Sequence, residues 1–159
     1  MRDVRFLLAH PEDGYQGTRS SYWFLVAMTA LTTARSLIHM FAPDGGADSI
    51  AGLAVEGTAG DNLVHLFGQW GLEQLLLAGV AWVFIARYQF LIPFALLLQL
   101  MDWIGRSIVG TVKPLVIDET PPGGIGNVIF PPMIVVALWF ALPRLADRGR
   151  RARAETEGQ

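Results

Sequence analysis

The sequence predicts an all-α polytopic membrane protein: a bundle of four transmembrane helices with both termini in the cytoplasm. Three observations predict it. Of the 159 residues, 52% are hydrophobic and only 16% charged, where soluble domains carry about a quarter charged, and the mean hydropathy is +0.40. The charges cluster between four apolar runs, each near the roughly 20 residues that cross a ~30 Å hydrocarbon core as a helix. The basic residues, finally, gather in alternate connections, as they do when helices cross back and forth.

The first span is Tyr22 to Phe41, after the cap-like Ser20-Ser21 and before the chain-breaking Pro43-Asp44-Gly45-Gly46. The second runs from about Leu63 to Ile85. The third, about Phe90 to Gly110, is entered through the tight turn Arg87-Tyr88-Gln89. The fourth covers about Ile125 to Leu142, where Pro131-Pro132 should kink the helix or delay its start. The chain therefore divides into an N-terminal segment, 1–20, a membrane domain, 21–143, and a basic and polar tail, 144–159. The N-terminus does not resemble a cleavable signal, because its apolar run FLLA is far too short and Pro11 follows at once.

Orientation follows from Lys and Arg. Arg2, Arg5 and Arg19 precede the first span, Arg87 follows the second, and Arg144, Arg148, Arg150, Arg151 and Arg153 follow the fourth. The connection 42–62 instead carries Asp44, Asp48, Glu56 and Asp61 and no basic residue. The connection after the third span adds Lys113, Asp118 and Glu119. The expected location is the cell membrane, as in a bacterial inner membrane, with lipids as neighbours. The net charge of −2 gives no sign of nucleic-acid binding. With no cysteine there is no disulfide, thiolate metal site or cysteine nucleophile.

Within the spans the polar residues recur at helical spacing. The first span has Thr32, Arg35 and His39; the second His65, Gln69 and Glu73; the third Gln99, Asp102 and Arg106. Placed by depth at about 1.5 Å per residue, these stripes fall into layers in the outer half of the membrane, above an almost purely apolar inner half. Two arginines, an aspartate and a glutamate turned to lipid would cost on the order of 10 kcal/mol together. The expected arrangement turns all three stripes inward, with Arg35 or Arg106 pairing Asp102 and Glu73 gaining a donor.

Such a pocket suits a binding site for an amphipathic lipophilic molecule, quinone- or isoprenoid-like. Arg35, Gln69, Gln99, Asp102 and Arg106 would hold the head group, and Trp70 and Trp103 could stack on a flat one. Glu73, Asp102, His39 and His65 are the acid–base candidates, Glu73 foremost as a proton holder. His39 and His65 could face each other, but with no clear third ligand no metal site is expected. One alternative is an intramembrane acid–base isomerase or hydrolase acting on a lipophilic substrate. Another is a non-catalytic assembly subunit whose ion pairs serve only folding, with a membrane-complex partner or a second copy. The outer runs SIAGLAV and PLVI could lie at the interface, fold down as a lid, or remain plain linkers. His10 should be solvated.

At GQWGLEQLLLAG, residues 68–79, the chain resembles the DoxX-like four-helix membrane proteins. In that family the second span often carries a glycine, then a glutamate and an apolar run with another glycine. Here Gly71 and Glu73 are two apart rather than three, with Gln69 or Gln74 in the polar position; Arg35, and His39 followed by Pro43, fit loosely. The resemblance implies a small membrane subunit near quinone or sulfur redox chemistry, often without catalysis of its own. The chain is also distantly similar to sterol-isomerase-like four-helix enzymes, which move protons on apolar substrates with intramembrane His and Glu.

Overall fold

A computed structural model describes residues 3, 4, 7, 14–115 and 122–143. Arg2, Arg5, His10, the second half of PLVI, Asp118, Glu119 and the tail 144–159 lie outside the described residues. Four helices follow one another: α1 (Arg19–Phe41), α2 (Gly57–Ala86), α3 (Ile92–Val112) and α4 (Pro122–Ala141). All four are long and apolar enough to cross a membrane.

The boundaries differ from the expected ones for local reasons. Thr18, not Ser20-Ser21, caps α1, its Oγ1 accepting the Ser21 N–H at 3.4 Å. At 30 residues, α2 starts before Leu63, at Gly57, whose φ of +65° turns the chain into the helix. A single 3-10 turn, Gln89–Leu91, leads into α3, where Pro93 sits in the first turn and needs no N–H partner. The tandem prolines neither end α4 nor delay it: they lie inside a helix that begins at Pro122. Pro131 has no N–H to give the Asn127 carbonyl. The Ser107 hydroxyl of α3, whose shorter bond is to Trp103 O at 3.0 Å, also lies 3.5 Å from that carbonyl and shares its proton with it, the kind of repair that lets proline sit in a membrane helix.

The helices associate as two antiparallel hairpins, α1 with α2 and α3 with α4; α1 also touches α4, while α2 and α3 touch little. Size explains the first pair. Along α2, Gly71, Gln74, Ala78, Ala81 and Ile85 are buried at alternating spacings of three and four, so small residues let the α1 backbone come close. Buried hydroxyls of α1 find backbone carbonyls. Ser21 donates to Ala137 O at 2.8 Å and Ser36 to Thr32 O at 2.7 Å. Leu25, Ile92, Leu96 and Ile134, each fully buried, centre the core. Outside it lies a coat of exposed Trp, Leu and Val side chains, including Trp23, Leu76, Val112 and Trp139, the surface that lipid requires.

Both ends of the bundle sequence meet. The Thr18 N–H donates to Phe140 O at 3.1 Å and the Asp3 N–H to Pro143 O at 3.0 Å. The start of α1 and the end of α4 therefore share one end of the bundle. Burial raises the Tyr15 hydroxyl, which donates to Thr18 O, to a pKa of about 12.

Candidate functional site

The polar residues of α1 and α3 converge in the half of the bundle away from the termini. Arg35 of α1 donates from Nη2 to Gln74 Oε1 of α2 at 2.6 Å. One turn apart on α3, Arg106 and Asp102 form an ion pair at 2.5 Å. Gln99 donates to Thr29 Oγ1 at 3.4 Å.

Aromatic rings organise the two cations. The Arg35 guanidinium lies 5.2 Å from the Trp70 ring centre and 5.8 Å from that of Trp103. For Arg106 the distances are 5.3 Å and 4.7 Å. Each cation thus faces both indoles, and each indole both cations, an attraction worth about 2 kcal/mol per contact away from water. His39 stacks on Trp70 at 5.1 Å, and Phe130 of α4 lies against Trp103 at 4.7 Å. The network runs through all four helices and joins the two hairpins where α2 and α3 barely touch.

Charge here does not balance. Arg35 and Arg106 bring two positive charges and Asp102 one negative, and Arg35 leans on a neutral amide. Hydrogen bonding is incomplete as well: Gln74 Nε2, Gln99 Oε1, Arg106 Nε and Asn127 Oδ1 are buried without a protein partner. Unsatisfied buried polar atoms cost roughly 1–3 kcal/mol each.

Beside this layer a crevice opens between α2 and α3. Thr32, Gln99, Asp102 and Trp103 form its polar end; Leu77, Ala78, Val80, Ala81, Phe84, Ala95 and Leu98 form its apolar walls. Its enclosed part holds only about 20 Å³, roughly one water. A second groove, about 420 Å³ between α1 and α4, is walled by Phe24, Met133, Val136 and Phe140 and has only serine hydroxyls as polar groups.

The second expected stripe does not join the site. His65, Gln69 and Glu73 are all exposed, on the side of α2 away from the bundle. The reason is the close approach of α1: Gly71, Gln74 and Ala78 are the positions that permit it, and Glu73 is turned about 100° from Gln74. Glu73 thus gains no donor from the site, and Arg35 is level with Gln74 rather than with Gln69. His39 and His65 do not face each other. His39 is buried, its Nδ1 against Gly45 O at 2.7 Å, while His65 lies outside. Gln74, named from the sequence only as an alternative polar position of the DoxX-like motif, is the site residue that the stripe reasoning passed over. The signal for it was the run of small residues, Gly71, Ala78 and Ala81, at its own helical spacing.

Of the connection 42–56, the first part folds back on α1. Asp44 accepts the N–H groups of Gly46 and Ser49 at 3.0 and 2.7 Å, which hold its carboxyl well below the ordinary range, the Ser49 bonds most. Gly45 and Gly46, with φ of +59° and +73°, make the turn that carries the Gly45 carbonyl to His39. Ile50, Ala51, Leu53 and Val55 of SIAGLAV are half-buried rather than extended into water. The chain matches no family model, no curated protein and no solved structure.

Proposed function

We propose that this chain is a multi-pass membrane protein that binds an amphipathic, quinone- or isoprenoid-like ligand. The head group takes the layer of Arg35, Gln74, Gln99, Asp102 and Arg106, and the tail lies along the apolar walls between α2 and α3. One observation carries this reading: Gln99, its Oε1 buried without a partner, and Asp102, paired to Arg106, form the polar end of an apolar crevice. An electron-rich oxygen head would accept from Gln74 Nε2 and Arg106 Nε and lean on the surplus positive charge. A donor group on the ligand would meet Gln99 Oε1.

On this reading both termini are cytoplasmic, supported by the contrast between Arg19 and Arg87 at one end and the acidic connection at the other. The membrane is a cell membrane such as a bacterial inner membrane. The role implied by the DoxX-like resemblance, a small subunit beside quinone or sulfur redox chemistry, fits the same site. The acid–base alternative has less support, since Glu73 faces outward and Asp102 is held by Arg106.

Native mass spectrometry of the protein released from mild detergent tests the proposal. The expected result is a stoichiometric lipophilic adduct that Gln99→Leu and Arg35→Lys each reduce while the fold persists. A bare protein, or an adduct indifferent to both changes, would discard it. A second reading, a purely structural role, has the bridging of the hairpins by the cation–indole network in its favour. It expects Arg35→Lys and Arg106→Lys to lower thermal stability in step and to alter no bound species.

A further inference from the structure

The outer face of α2 carries a second packing seam. His65, Gln69, Leu72, Leu76, Gly79 and Val83 are all exposed and follow one another at intervals of four, three, four, three and four. That repeat keeps one helix against another over many turns. The buried seam of α2, through Gly71, Gln74, Ala78, Ala81 and Ile85, has the same repeat and is filled by the rest of the bundle. The two seams are offset by two residues, about 200° around the helix. The chain itself occupies only one of these two faces of the helix.

Polarity distinguishes the open seam from an ordinary lipid-facing surface. Among the exposed side chains of α2 from residue 65 to its end, His65, Gln69 and Glu73 are polar and the rest are apolar or glycine. Those three share one stripe, with Glu73 flanking the seam. Glu73 lies thirteen residues from Ala86 (86 − 73), about 20 Å along the helix and about 10 Å inside a ~30 Å hydrocarbon layer that begins there. Intramembrane carboxyl groups almost always face protein rather than lipid.

We propose that this face contacts a second copy of the same chain, the two α2 helices lying parallel about a twofold axis normal to the membrane. In a twofold contact each side chain near the axis meets its own counterpart, so a polar group must both donate and accept. The Gln69 amide does so. At Gly79 no atom lies within 4 Å of where a Cβ would be. Its own bundle makes no use of the missing side chain, whereas a partner helix can approach closely there. This contact does not depend on the α2–α3 ligand site.

The absence of native cysteine makes the test direct. Single cysteines are introduced into the full chain, which is reconstituted in phosphatidylethanolamine–phosphatidylglycerol vesicles and oxidised. Leu72→Cys, Leu76→Cys and Val83→Cys are expected to give a product of twice the chain mass; Leu77→Cys and Trp82→Cys, exposed but off the seam, are not. In the cysteine-free chain, single-molecule photobleaching should show two copies, with Gln69→Leu/Glu73→Leu weakening association about tenfold and Glu73→Gln retaining it. One copy at every protein-to-lipid ratio, or crosslinking that ignores the seam, overturns the proposal. So does a seam crosslink formed in native membranes only to a protein of different mass.

Discussion

A Cβ at Gly71 would lie 2.7 Å from the His39 Cβ and 2.9 Å from the Ser36 carbonyl oxygen, so Gly71→Leu has to push α1 away from α2. Overpacking of this kind costs about 1–3 kcal/mol, and the thermal midpoint in detergent should fall accordingly. Gly79→Leu, which meets open space within its own chain, should leave the midpoint of the monomeric protein unchanged. Arg35 is argued at the same scale. Lysine keeps its charge but loses the planar fork that faces Trp70, Trp103 and Gln74 at once. Arg35→Lys should therefore alter the intrinsic tryptophan fluorescence even where helicity by circular dichroism is unchanged; an unaltered spectrum would mean that the guanidinium is not seated between the indoles.

Within α3 and α4, Ser107 and Pro131 should be energetically coupled. Ser107→Ala leaves the Asn127 carbonyl without a donor, a loss of about 1 kcal/mol. In a Pro131→Ala background the restored N–H can return to that carbonyl, so the cost of Ser107→Ala should shrink. A double-mutant cycle on unfolding midpoints reads the difference; strict additivity would show that the hydroxyl does not repair the proline gap. The connection 42–56 makes a pH prediction. Asp44 binds its proton less readily in the folded turn than in an unfolded chain, so its contribution is complete above the ordinary carboxylate pKa and is lost as pH falls below that value toward the folded one. Amide exchange at Ser49 and Gly46 should accelerate over that acid window, and Asp44→Asn should remove the pH dependence.

For the whole molecule, the proposed orientation predicts which cysteine substitutions a membrane-impermeant thiol reagent reaches in intact cells. Ser49→Cys, in the acidic connection, should label from outside; Tyr88→Cys, in the opposite turn, should label only after permeabilisation. The reverse pattern would invert the topology. Much of this scale was legible before any coordinates, because crossing lipid demands about 20 apolar residues per helix whatever the packing. The convergence of Arg35, Gln99, Asp102 and Arg106 was legible too, since charges avoid lipid. What misled was the rule that every polar stripe turns inward. That rule took His65, Gln69 and Glu73 to the interior and overlooked Gln74, one position on.

Hydropathy alone thus determined the number of crossings, their approximate limits and the half of the membrane that holds the charges, because each depends on transfer from water to lipid, residue by residue. Which side of α2 faces the bundle was decided only by tertiary packing. At a spacing near 3.6 residues per turn, both the Gly71–Gln74–Ala78 face and the Gln69–Glu73 face are continuous stripes. Close contact with α1 at Gly71 selects between them, and that contact depends on two backbones distant in sequence.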